Sequence, residues 1–485
     1  MKKKLKKIFK RKTIFYILGI IVLLIIIIGS WNLYKPLPEG MSLEGKIYQI
    51  DENSIEFLYD LTYLDESGKR ISEQEIFDRV FEMIDQAQEF ILIDMFLWGS
   101  SENSYRNLSD ELTQHLLNKK QETPSITINL ITDEFNTIYG AYNQPQLTKL
   151  QNAGINVIYT DMKKMRDSNI LYSSVWRTFF SWMGVASECN SIFLKFSDKE
   201  ICARSGLKFL NFKANHRKLI VADSENKMLS LITSANPHDG SSAHSNVAVY
   251  IEEKIWEDIY YSEKSIANFS GEFKEFSFGN IYETKSSDIS VQFLTEGKIK
   301  KNLIQEIGKT FEGDSIEIMV FYISDRDIVE SLILASKRGV EIKLILDPNK
   351  DAFGMEKDGV PNRPVANELI KKSSGKIQVK WYNTNGEQFH TKLAVIRKKT
   401  GETIIITGSA NFTKRNINDL NIEANVKVVA KKDSIFIQEI YNYFDKIWNN
   451  LEGINYTLEY ESYGDDSFLK NLRYRFQEAS GASTF

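Results

Sequence analysis

The chain has 485 residues, more than one hydrophobic core ordinarily serves, and 42% hydrophobic against 26% charged residues is the balance of a globular protein. Its formal charge of −4 conceals a split: eight cations lie in residues 1–12, and without them 53 basic residues stand against 65 acidic ones, a balance of −12. That acidic surplus argues against a surface built to neutralise nucleic-acid phosphates, and two cysteines exclude a disulfide framework.

Residues 1–12 form a basic end with no acid, and residues 13–31 follow as an apolar stretch with Trp31 and Tyr34 where an interfacial aromatic belt would lie. This length approaches the ~20 residues needed to cross a bilayer. The charge bias places the basic end in the cytoplasm and the rest outside, which predicts a single-pass protein of the cell membrane. A cleaved signal peptide is the rival reading. Its apolar part is ordinarily ~7–15 residues and ends in small residues. Ile27 and Ile28 stand where those belong, which favours an uncleaved anchor.

The remainder repeats one plan. Helical spacing over residues 75–89 leads to the apolar strand that begins at Phe90, a helix over 108–118, a strand over 126–131 ending near Asp133, and a further strand over 155–159. The second half gives a helix over 303–310, a strand from Ile316, a helix over 328–338, a strand ending at Asp347, and a strand over 377–381. Alternating strands and helices predict parallel sheets covered on both faces, so the expected fold class is α/β: two homologous α/β sandwich halves, residues 45–285 and 286–460, plus the N-terminal transmembrane helix. Residues 461–485 read as a polar tail.

Only the first half carries an insertion, residues 165–211, whose run from Leu171 to Met183 is dense in aromatics. It is either a buried helix or an apolar surface for lipid. The second alternative predicts Trp176, Phe179, Phe180 and Trp182 at the mouth of the site or at the membrane interface, with Arg177 meeting lipid phosphate. Cys189 and Cys202 fall in the same region and could pair or remain thiols.

After the third strand each half presents a matched set. One reads Asn215-His216-Arg217-Lys218 with Asp223, then Thr233-Ser234-Ala235-Asn236. The other reads Phe389-His390-Thr391-Lys392 with Arg397, then Gly408-Ser409-Ala410-Asn411. His and Lys two residues apart on a strand share a face, and the apolar run that follows buries the strand in a sheet. The chain then turns back and delivers Ser and Asn to the same end. A dyad between the halves would gather His216, His390, Lys218, Lys392, Asn236, Asn411, Ser234 and Ser409 around one point. Such a set suits phosphoryl chemistry without a metal or other cofactor: one imidazole attacks phosphorus, the other protonates the leaving oxygen, and Lys, Asn and Ser hold the non-bridging oxygens.

The doubled His-x-Lys-x4-Asp and Gly-Ser-x-Asn patterns resemble the phospholipase D superfamily, and with the anchor the chain is most similar to bacterial cardiolipin synthases and their phospholipase D-like relatives. The resemblance covers roughly residues 48–450. It implies phosphodiester hydrolysis or phosphatidyl transfer through a phosphohistidine, with phospholipid and membrane as partners, while the acidic balance and the external location argue against nucleic acid. By the same resemblance His216 is the nucleophile and His390 the acid, while Asp223 and Glu423 are supporting residues. Arg397 replaces the second motif Asp, Thr233 the first motif Gly, and Asn246 lies where an acid would be expected in the first half. A nuclease with the same site and a catalytically weak membrane scaffold are the competing classes. Oligomeric state is not legible. Among the other histidines, His115 reads as surface, and His238 and His244 as members of a polar loop in preference to a rim contact.

Overall fold

The computed structural model describes residues 2–101, 104–184, 193–196, 199–225, 227–277, 288–352 and 355–482. The N-terminal helix, Lys2–Tyr34, is ~50 Å long at 1.5 Å per residue. Its segment Lys12–Tyr34 is long and apolar enough to cross a membrane and is almost wholly unburied by the rest of the chain. The expected span of residues 13–31 lies inside it.

Two large mixed sheets follow. The first has the strand order Arg70–Glu73, Ile55–Leu64, Asn246–Ile251, Lys227–Thr233, Lys218–Ser224, Phe90–Met95, Thr127–Asp133, Asn156–Thr160. The second runs Glu44–Ile50, Ile289–Thr295, Ala424–Lys431, Glu402–Gly408, Lys392–Arg397, Ser315–Val320, Glu341–Leu346, Ile377–Tyr382, Thr457–Glu459. From Ile55–Leu64 to Asn156–Thr160 the first sheet matches the second strand for strand, from Ile289–Thr295 to Ile377–Tyr382.

The sheets are not fully parallel, as strand–helix alternation alone suggested. Phe90–Met95, Thr127–Asp133 and Asn156–Thr160 are parallel, and so are their counterparts. The His-x-Lys strand returns through a short hairpin in each half, and a hairpin can join only antiparallel neighbours. The boundary near residue 45 also needs refinement, because Glu44–Ile50 pairs with Ile289–Thr295 at the edge of the second sheet. There it covers backbone groups that an edge strand would otherwise leave unpaired.

The sheets lie face to face through strands Lys227–Thr233 and Asn246–Ile251 of one and Glu402–Gly408 and Ala424–Lys431 of the other. One core is therefore shared, with Val221, Val247 and Val249 facing Val395, Ile405 and Val428, while separate cores lie under the outer helices of each half. The helix Ile255–Asn268 of the first half reaches the strands Glu44–Ile50 and Ile289–Thr295, and the helix Ile435–Trp448 of the second half packs on Ile55–Leu64. The halves are thus clasped in both directions, which fixes their motifs against each other.

The insertion contributes a helix, Ile170–Phe179, that packs along the N-terminal helix, where Gly29 lets the Ser174 side chain approach closely. Trp176 is buried, whereas Leu171, Val175, Phe179 and Trp182 face outward. Arg177 does not await a lipid phosphate: its guanidinium is held by both oxygens of Asp167, at 2.6 and 2.8 Å. Cys189 lies outside the described residues, and with it the question of pairing. Residues 461–485, read from the sequence as a polar tail, contain the helix Phe468–Ser480.

Candidate active site

Each histidine is placed by the opposite half. The His216 N–H donates to Ile422 O at 2.8 Å, and the His390 N–H to Ser245 O at 2.9 Å, so each motif is stitched to the partner motif by backbone. The stretch before each histidine is fixed by the aspartate ending the second parallel strand. Asp133 accepts the Asn215 N–H at 2.7 Å, and Asp347 accepts the Phe389 N–H at 2.8 Å. Burial pushes both carboxyls up to about 7.

His216 Nδ1 meets both carboxylate oxygens of Glu423, at 3.0 and 3.1 Å. His390 Nδ1 meets Asn246 Oδ1 at 3.1 Å. The Asn246 amide orientation is set by its Nδ2 donating to His244 O at 3.0 Å, so the oxygen faces the ring. Both partners accept, and both imidazoles therefore carry their proton on Nδ1 and leave Nε2 for chemistry. Asn246 and Glu423 are structural equivalents, each receiving the hydroxyl of the motif serine, Ser234 or Ser409. The apparent absence of an acid in the first half is thus an amide standing where the second half has a carboxylate.

Lys218 Nζ donates to His216 O at 2.7 Å and lies over the Phe96 ring; Lys392 Nζ donates to His390 O at 2.8 Å and lies over Phe321. An ammonium has three donors, so each lysine retains capacity for a ligand. Burial pushes Lys218 down to about 7, and burial together with Lys218 pushes Lys392 well down. Burial likewise brings His216 down to about 4 against the pull of Glu423, and it pushes His390 well below its ordinary value, with Lys392, His244, Lys218 and His216 adding to the effect. The backbone bonds from each histidine to the other half, with Glu423 on His216 and Asn246 on His390, bring both motifs to the seam between the halves. The lowered values of two buried lysines and two buried histidines mark a site whose cationic forms an anionic ligand would stabilise.

Asn236 and Asn411 close the set. Both are buried; Asn236 Oδ1 accepts the Leu97 N–H at 3.3 Å, and Asn411 Oδ1 has no donor among the described residues. Ser234 and Ser409, expected at the substrate phosphate, are instead consumed in support. Ser234 Oγ also accepts the Val247 N–H at 3.1 Å, and Ser409 Oγ the Ala424 N–H at 3.0 Å. Asp223 is at the far end of the His216 strand, where it accepts the amides of Gln88, Glu89 and Phe90, so it supports the sheet and not the imidazole. Arg397, its counterpart, pairs with Glu317 and stacks on Tyr441. Thr233 replaces the motif glycine without strain, its hydroxyl bonded to Val247 O, whereas a Cβ on Gly408 would run into Ala424 O.

Several residues of the site were not singled out from the sequence. Arg217, fully buried, pairs with Glu263 at 2.6 Å and with Glu296 of the other half at 2.7 Å, and Glu296 accepts the Glu423 N–H. The network therefore holds the backbone of the residue that faces His216. A charged side chain between two motif residues on a strand this apolar was the available signal. His244, read from the sequence as part of a polar loop in preference to a rim contact, lies beside His390, with the ring centroids 5.9 Å apart and its Nδ1 accepting the Gln388 N–H at 3.2 Å. His115 stacks on Phe81 and bonds Asp85, away from the site.

A family model described as "Cardiolipin synthase, PLD-like domain" matches residues 303–448, the stretch that holds His390, Lys392, Asn411 and Glu423. Proteins named phospholipase D are similar to the chain. The one from Rickettsia typhi is 28% identical over 180 residues, 36% of this chain and 77% of the relative. That from Rickettsia conorii is 30% identical over 167 residues, 33% of this chain and 72% of the relative. The crystal structure of phosphatidylserine synthase from Haemophilus influenzae aligns over 94% of this chain and 97% of its own, with a TM-score of 0.55 and 11% identity, a likeness of fold. The doubled motif, the interlocked halves and these relatives agree: the chain belongs to the phospholipase D family.

Proposed function

We propose that the protein exchanges the alcohol of a phospholipid phosphodiester through a covalent phosphohistidine, as a membrane-anchored enzyme of phospholipase D or cardiolipin synthase type. The observation that carries this reading is the unequal backing of two otherwise equivalent histidines, Glu423 behind His216 and Asn246 behind His390. When Nε2 of His216 attacks phosphorus, an N–P bond forms and the ring, still protonated at Nδ1, becomes cationic for the lifetime of the intermediate. A carboxylate at Nδ1 stabilises that cation. The P–O bond to the head-group alcohol breaks, and the leaving oxygen takes a proton from His390, whose neutral amide partner makes it the more ready donor. Water or a second alcohol then loses its proton to His390 and attacks phosphorus, and the N–P bond breaks. Lys218, Lys392, Asn236 and Asn411 are assigned to the non-bridging oxygens, whose negative charge lets His390 hold its proton despite burial.

The basic N-terminus would remain cytoplasmic and the catalytic part would lie outside, so protease added to intact cells should leave only a small N-terminal fragment. The function is tested with the purified full chain in vesicles containing labelled phosphatidylglycerol. Cardiolipin marks transfer and phosphatidic acid marks hydrolysis. Labelled lipid left unchanged, with the protein folded and reconstituted, would contradict the proposal.

A further inference from the structure

The C-terminal helix Phe468–Ser480 is amphipathic in the inverted sense. Phe468, Leu469, Leu472 and Phe476 fall within about 100° of arc at 3.6 residues per turn, and they are 57–76% exposed. Its polar face points inward. Tyr474 is buried, with its hydroxyl on Glu368, and Glu478 is buried, accepting the Lys414 N–H at 2.8 Å and the Ser324 hydroxyl. The helix is therefore fixed to the body by polar contacts, while its apolar stripe is left largely exposed by the described residues. Arg473, paired with Asp358, and Arg475, paired with Glu368, border the stripe on either side, each more than two-fifths exposed.

The stripe does not stand alone. At the end of this helix Gly481 lies against the carbonyl of Ser168, and its own carbonyl accepts from Arg415. Asn169, the N-cap of the insertion helix, comes next, and that helix turns Leu171, Val175 and Phe179 outward in one line. Its neighbouring face packs on the N-terminal helix at Gly29, within the segment able to span a membrane. The exposed apolar side chains thus form a series that leads from the C-terminal helix to the membrane helix.

We infer that the C-terminal helix lies in the surface of a lipid bilayer, with its apolar stripe among the acyl chains and its part-exposed ion pairs at the level of the head groups. An apolar stripe bordered by charged side chains, on a helix linked through the insertion helix to a membrane span, matches the chemistry of the interfacial region. With the N-terminal helix as one attachment and this helix as another, the protein is held to the bilayer at two places. The turn that follows Asn411, tied to Glu478, is thereby fixed relative to the lipid surface. The inference rests on reading the N-terminal helix as a membrane span, and not on the phosphohistidine chemistry.

The test places spin labels on the full chain in vesicles of phosphatidylglycerol and phosphatidylcholine, using Leu472→Cys, Phe476→Cys, Asp466→Cys and Leu23→Cys in turn, with the parent protein labelled alike as background. Accessibility to oxygen and to a water-soluble nickel complex is read at each site, and melting temperatures verify folding. The expected result is that labels at 472 and 476 gain oxygen contact and lose nickel contact on reconstitution, while 466 remains aqueous. Labels at 472 and 476 as nickel-accessible as 466 would overturn the inference. So would protection that appears only at high protein-to-lipid ratio, which would mean that a second copy covers the stripe. An aqueous label at Leu23 would instead overturn the membrane-span reading itself.

Discussion

Replacing Glu423 with Gln removes the carboxylate charge behind His216 while keeping the shape of its side chain. The carboxylate receives His216 Nδ1–H at 3.0–3.1 Å, the Ser409 hydroxyl and the Asn416 amide, and the Gln side chain can accept only through one of its two termini. Burial pushes the Glu423 carboxyl up, yet His216, Lys218 and Ser409 outweigh that and hold it below its ordinary value, so the group is ionised at neutral pH. A charge pair at this range is worth ~4 kcal/mol at an effective dielectric of 20, and a retained neutral hydrogen bond keeps part of it. The expected loss is ~2–4 kcal/mol of phosphohistidine stabilisation, or ~30- to 1,000-fold in rate. The assay is single-turnover formation of the covalent adduct on labelled phospholipid, with melting temperature measured in parallel. An adduct formed at the parent rate by folded Glu423→Gln would refute the assignment of this carboxylate to the nucleophile.

Other perturbations separate support from chemistry. Asn246→Asp gives His390 a carboxylate partner, which favours the imidazolium, so the alkaline limb of the pH–rate profile should move up by about 1–3 units; an unmoved limb would mean that His390 is not the acid. Arg217→Met leaves Glu263 and Glu296 buried without their cation, and thermal unfolding should show a loss of ~3–5 kcal/mol. Asp223→Asn should cost ~1–3 kcal/mol through the amides of residues 88–90 and leave the turnover of folded protein unchanged. Native His216 is pushed down to about 4 and His244 to about 3, both below the unfolded value of 6.5. Below that pH the unfolded chain therefore binds more protons. Stability present above pH 6.5 is lost as pH falls towards 4, and denaturant midpoints should fall accordingly.

The His-x-Lys and Ser-x-Asn motifs were legible because a strand's alternation and a repeat in register leave few other placements for His216, Lys218, His390 and Lys392. The clasp was not legible, because it depends on which half supplies the partner. Nothing local in the sequence says that Glu423 faces His216 across the interface, or that Asn246 serves His390. The same limit misplaced Ser234 and Ser409, whose motif spacing brings them to the site while their hydroxyls are spent on Asn246 and Glu423. Strand–helix alternation overstated the parallel pairing because it does not register the hairpins after Lys218 and Lys392. The C-terminal helix escaped notice because its charged residues dominate its composition, while the angular position of Phe468, Leu472 and Phe476 carries the information.

The most direct measurement is identification of the covalent intermediate. Wild-type protein quenched in acid-free denaturant during turnover of labelled phosphatidylglycerol, then digested and mapped by mass spectrometry, should carry the phosphatidyl group on His216. His390→Asn should accumulate the adduct or form it slowly at the same position, and His216→Asn should form none. An adduct on His390, or undiminished turnover in His216→Asn, would contradict the account.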